Sequence, residues 1–168
     1  MNKDKMFENI LKKMTKQLHF KSDVFLKKDD RMRGARADFY IYQDGKKEDC
    51  FLITYNSKRH RTKFDIIMTI AHELGHIRKK HLTTNSYLTL IEKEYQAEAF
   101  ALDVVKKHYK EYYLRAIDSL INYTDGTIPN TDEVYAVAFQ KLYDERVGET
   151  KNIIWKLKFV QNVKKLNI

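Results

Sequence analysis

His72, Glu73, Leu74, Gly75 and His76 form a His-Glu-x-x-His unit. On a helix, residues i and i+4 project only about 40° apart, so both imidazoles can reach one metal ion. Glu73, one position on, leans to the side. It can take a proton from a water beside the ion without becoming a ligand, which is the place of a general base. Two satisfied core histidines would be the plainer account of the pair. The neighbours argue against it: Phe64, Ile66, Ile67, Met68, Ile70, Ala71, Leu74 and Ile77 surround the helical wheel almost completely. Two His and a Glu on so apolar a helix are costly to desolvate without a partner, and Zn2+ is an effective one.

A catalytic zinc with two His ligands takes a third protein ligand and keeps one position open. Cys50 is the only cysteine, which excludes an internal disulfide and paired-cysteine zinc sites and leaves His and carboxylates as donors. A helical pattern from about Leu90 to Tyr113 gathers Ile91, Glu94, Tyr95, Ala97, Glu98, Ala101, Leu102 and Val105 on one face. Glu92, Lys93, Gln96, Asp103, Lys106, Lys107 and Lys110 fall on the other. Glu94 and Glu98 therefore point inward, one turn apart, beside small residues that let another helix come close. His-Glu-x-x-His on one helix and an inward Glu on the next is the arrangement of zinc peptidases that use two His and one Glu.

The run Phe64 to Ala71 leading into His72–His76, followed by Glu94-Tyr95-Gln96-Ala97-Glu98-Ala99-Phe100-Ala101, resembles the ImmA/IrrE family of metallopeptidases, best over residues 50 to 105. The E-x-x-A-[acidic or Asn]-x-F-A element separates that family, and the related Ste24-type peptidases, from a bare His-Glu-x-x-His match. The resemblance implies that Glu94 is the third zinc ligand. It gives Glu98 the outer role of orienting a ligand histidine, where the family usually carries Asp or Asn. It departs again at Leu102-Asp103-Val104-Val105-Lys106, where the family often runs through a short apolar stretch to Met-Pro. The implied fold is α+β and zincin-like, mainly helical, with a small sheet packed on the active-site helix. The implied function is that of a soluble bacterial zinc endopeptidase, often carried by phages or mobile elements, that cleaves a helix-turn-helix repressor. In such a mechanism Glu73 takes the proton of the attacking water and passes it to the leaving amine. Tyr55, His60, His81, Tyr95, His108 and Tyr135 are conceivable oxyanion donors, and the sequence does not rank them.

Two other readings compete. A SprT-like protease of DNA-associated proteins would suit the net charge of +9, and a basic nucleic-acid-binding module with a structural metal would need a closed four-ligand shell and no Glu73. Direct nucleic-acid contact is not required by the first reading. The basic residues are spread along the chain, as a solvated surface would also have them.

The elements that must hold these groups follow from patterning. The chain has 168 residues, 43% hydrophobic and 33% charged, enough for one core and a single domain over 1–168. No apolar run approaches the roughly 20 residues of a membrane span. The first twenty residues do not resemble a secretory signal, so a cytoplasmic home is expected. Met6, Phe7, Ile10, Leu11, Met14 and Leu18 predict an amphipathic helix over 3–19. Asp38–Tyr42 and Cys50–Tyr55 predict a hairpin about Asp44-Gly45, and Lys58–Lys63 a basic loop. Thr62 and Asp65 announce the His-Glu-x-x-His helix. Within it Gly75 costs about 1 kcal/mol relative to Ala, so another backbone is expected to pack against it. Shorter helices are expected over 115–122 and 132–147, while 153–163 fits either a helix or a strand.

Overall fold

The computed structural model describes residues 2–40, 50–82, 88–121 and 133–148. They form an α+β fold, mostly helical, in the order α1 (Lys3–Gln17), β1 (Val24–Lys28), β2 (Ala35–Tyr40), β3 (Cys50–Tyr55), α2 (Lys63–Arg78), α3 (Leu90–His108), a 3-10 turn (Lys110–Tyr112) and α4 (Tyr113–Ile121). A last helix, α5, covers 133–148. Among the described residues no helix is long and apolar enough to cross a membrane.

The sheet is three-stranded with order β1-β3-β2. β2 pairs antiparallel with β3, Ala37 opposite Ile53, as the hairpin reading expects. Its strand begins earlier than expected, at Ala35; the expected turn, with the positions just past Tyr40, lies outside the described residues. β1 was not expected. It pairs parallel with β3, Val24 opposite Phe51 and Leu26 opposite Ile53. Its partner lies about 27 residues away, and Val24-Phe25-Leu26 is too short an apolar run to announce a strand by itself. With a neighbour on each side, β3 is almost wholly buried, and its Cys-Phe-Leu-Ile-Thr-Tyr run reads as a central strand should.

Because paired residues share a face, Val24, Leu26, Ala35, Ala37, Phe51, Ile53 and Tyr55 form one surface, which joins the core beneath α1 and α2. Phe7 of α1 stacks on Tyr55 at 3.9 Å between ring centroids. α2 is buried on nearly every side, through Phe64, Ile66, Ile67, Ile70, Ala71, Leu74 and Ile77. Thr62 caps it in a reciprocal box with Asp65. The helical pattern after Leu90 does not run to Tyr113. It stops at His108, Tyr109 leaves helical geometry (φ −139°, ψ 50°), and α4 starts at Tyr113. Tyr109 and Tyr113 are both buried in the core. No Gly or Pro marks this break. α5 packs on α3 through Arg146–Asp103 (3.0 Å) and Tyr95–Glu145, with Lys141 over the Tyr95 ring.

α2 and α3 cross at Gly75. A Cβ there would lie 2.7 Å from the carbonyl oxygen and 2.9 Å from the Cα of Ala97. The glycine expected to admit another backbone does so, and the backbone is that of α3. Gly75→Ala gains helix propensity of about 1 kcal/mol but must push two main chains apart. A net destabilisation of about 1–3 kcal/mol is expected in denaturant unfolding; an unchanged or raised stability would show that the crossing is not tight.

Candidate metal centre

His72 and His76 lie one turn apart on α2 and flank Gly75; Glu94 and Glu98 lie one turn apart on α3 and flank Ala97. The crossing brings the two pairs together. His72 Nε2 and His76 Nε2 are 3.1 Å apart, and Glu94 Oε2 stands 3.1 Å from the first and 3.6 Å from the second. These three residues form a group able to hold a metal ion. Bonds of about 2.0–2.1 Å from one ion to tetrahedral corners put those corners about 3.3 Å apart, the spacing found here. The side chains fit such an ion in chemistry as well as in distance, because all three inward atoms are natural acceptors.

Each histidine is also fixed from behind. His72 Nδ1–H donates to Glu98 Oε2 at 2.8 Å, so Glu98 stands off the ligand triangle and on the ring's far nitrogen. His76 Nδ1 faces His81 Nδ1 at 3.0 Å, and His81 Nε2 faces Gln96 Oε1 at 3.2 Å. Helical spacing set Gln96 on the outward face of α3; its side chain instead reaches across to α2. Ile91, placed inward by the same wheel, is 37% exposed. Ile91 stands in the first turn of α3, and Gln96 stands opposite the stripe yet meets His81 with its side chain.

His81 reaches His76 because α2 ends in a Schellman turn. Lys80 N–H bonds Ile77 O, and His81 N–H bonds His76 O at 3.0 Å. Lys80 takes the left-handed conformation this turn requires (φ 59°), which in a residue with a Cβ costs about 1 kcal/mol. The turn folds His81 back over the final turn of its own helix. With His81 on the far nitrogen, His76 keeps its Nε2 for the ligand triangle.

Glu73 is buried, 7% exposed, and accepts a hydrogen bond from the backbone N–H of Ala37 in β2. Burial pushes its carboxyl up, against the opposing charges of His72 and His76 and that N–H. Burial also works against a charged His72, but Glu94 and Glu98 overcome it and hold the ring well above the usual imidazole range. Burial would raise Glu94 too; the hydrogen bonds and charges of His72 and His76 prevail and hold it at about 2. The charges at this point therefore favour a proton on His72 and an ionised Glu94.

Of the six conceivable oxyanion donors, five are committed elsewhere or distant. Tyr55 donates to Asp4 and His60 sits against Asn56 O and the Phe7 ring, both in the α1 layer. Tyr95 donates to Glu145, His81 backs His76, and His108 lies 14 residues along α3 from Glu94, about 21 Å. Tyr135 is nearer: its ring packs on Phe139 at 5.7 Å, and Phe139 lies edge-on to His72 at 6.4 Å. In the basic loop Lys58 pairs with Asp30 and His60 is buried, while Arg59 and Arg61 are exposed. No family model, curated protein or solved structure matches the chain.

Two predictions follow from the charge pattern. An ion entering the triangle must displace the His72 proton, so below the raised pKa of His72 apparent zinc affinity should rise about tenfold per pH unit as pH increases, with one proton released per ion. Calorimetry in buffers of different ionisation enthalpy measures that proton, and a flat pH dependence around neutrality would contradict it. Glu94→Gln should lose most of the zinc on dialysis. Glu98→Gln keeps an acceptor for His72 and should weaken affinity by about 10- to 100-fold at most; the reverse ranking would exchange the roles of the two carboxylates.

Proposed function

We propose that this chain is a zinc-dependent endopeptidase with a zincin-like site, similar to ImmA/IrrE metallopeptidases and acting in the cytoplasm. The observation that carries the reading is the convergence of His72 Nε2, His76 Nε2 and Glu94 Oε2, with Glu73 buried beside them and not among them. Two imidazoles and a carboxylate suit zinc better than the harder or softer ions. When bound, zinc supplies Lewis acidity that polarises a scissile carbonyl and lowers the pKa of water towards 7.

The chain's own residues do the rest. Glu73, raised by burial and tethered to β2 through the Ala37 N–H, accepts a proton from the attacking water and returns it to the departing amine. Its tether keeps the carboxylate off the ligand triangle, and its burial keeps bulk water from competing for the proton. Glu98 and His81 hold the ligand rings in orientation. Phe139 supplies an apolar wall on the His72 side. The substrate we propose is a regulatory protein, such as a helix-turn-helix repressor of a phage or mobile element, on the strength of the motif resemblance.

The test is Glu73→Gln. The variant should keep wild-type zinc content and melting temperature while losing cleavage of the cognate repressor by about 100-fold or more, because Gln retains the hydrogen bond from Ala37 but cannot take a proton. Undiminished cleavage by that variant would remove Glu73 from the chemistry, and a chain that binds no zinc would remove the reading altogether.

A further inference from the structure

The two ligand histidines are not backed alike. His72 rests on a carboxylate, whereas His76 rests on a second imidazole, that of His81, which rests in turn on the amide of Gln96. Resting on the metal reading above, we infer that His81 and Gln96 are positioning residues: they set the ring of His76 as the Nδ1–H tautomer and so aim its Nε2 lone pair at the metal. The assignment runs in one direction. Gln96 presents its carbonyl oxygen Oε1, which can only accept, so His81 carries its proton on Nε2. His81 Nδ1 is then a bare lone pair, and at 3.0 Å it takes the Nδ1–H of His76. His76 Nε2 is left without a proton, 3.1 Å from His72 Nε2. The opposite assignment would put the His76 proton inside the ligand triangle, where an ion would have to displace it.

Other features support the chain of three side chains. His81 is buried, 6% exposed, so its two ring nitrogens must find their partners within the protein. Its place depends on the Schellman turn at Lys80, a left-handed residue where glycine is usual. Backbone and side chain therefore act on the same residue: His81 N–H holds His76 O, and His81 Nδ1 holds His76 Nδ1. His81 stands on the outer nitrogen of His76, so it is no fourth ligand.

The experiment uses the full chain with 15N-labelled histidine, first stripped of metal. Long-range proton–nitrogen correlation should show His76 protonated at Nδ1 only and His81 at Nε2 only; protonation of His76 at Nε2 overturns the inference. Zinc competition against a chromophoric chelator then compares variants. His81→Leu should weaken zinc by about 10- to 100-fold, and His81→Asn, whose Oδ1 can replace the ring Nδ1 as acceptor, should return affinity to near the wild-type value. Equal weakening by Leu and Asn, or none by Leu, refutes the positioning role. If His81→Leu does not fold, Gln96→Leu takes its place, with a smaller loss of affinity and a shift in the His81 ring signals expected and wild-type behaviour in both refuting the relay. A wild-type chain that takes up no zinc would defeat the proposed function, while the tautomers of the metal-stripped protein would still decide the hydrogen-bond chain.

Discussion

Everything at the centre depends on how closely two main chains pass. Gly75 on α2 and Ala97 on α3 meet with no room for a Cβ on the first, and the crossing sets the separation of the pairs that flank it. His72 stands three residues before Gly75 and His76 one after it, and Glu94 and Glu98 are placed in the same way about Ala97. Helices are stiff over this length and both are packed in the core, so the approach of the backbones fixes the approach of imidazole and carboxylate. A looser crossing would leave the same residues in the same order and no ligand triangle, since distances of 3.1 to 3.6 Å tolerate little displacement.

What the crossing assembles is electrostatically unbalanced without a cation. Three carboxylates, of Glu73, Glu94 and Glu98, and three imidazoles are brought into a region largely shielded from water, and such groups are held there only if each lone pair finds a positive or hydrogen-bearing partner. The outer atoms are satisfied by Glu98, His81 and Gln96. At the three inner atoms the neighbouring charges and hydrogen bonds pull His72 towards holding a proton and Glu94 towards losing one. Proton and metal are competitors for one position. The backing is asymmetric as well, because a hydrogen bond to a carboxylate is stronger than one to a neutral ring.

The sheet contributes at one point of contact. β2 lies at the edge of the sheet next to α2, and the Ala37 N–H that meets Glu73 is backbone. A main-chain donor in a strand cannot rotate away, so Glu73 is held by an element that is itself held by β3. β3 is the interior strand, and α1 seals the same surface through Phe7 on Tyr55. α1, remote in sequence and without chemistry of its own, thus keeps the sheet against α2.

The sequence alone determined those parts of the site that follow from helical period and from the chemistry of single residues. His72 and His76 share a face because they are four apart, Glu73 cannot share it, Thr62 and Asp65 start α2, and a glycine inside so apolar a helix must admit another backbone. The inward turn of Glu94 and Glu98 follows from the same arithmetic. Tertiary structure decided what depends on partners distant along the chain or on a single backbone angle. β1 is a strand because β3 offers it an edge, which no property of Val24-Phe25-Leu26 discloses. α3 stops at His108, at a Tyr109 backbone conformation that no Gly or Pro announces. Helical periodicity left the two inward carboxylates equivalent; the motif resemblance gave Glu94 the ligand place and Glu98 the outer one, and the packed helices set Glu94 against the inner nitrogens and Glu98 against an outer one. His81 and Gln96 join the site through a left-handed Lys80 and a crossing of helices, and periodicity carries no information about either.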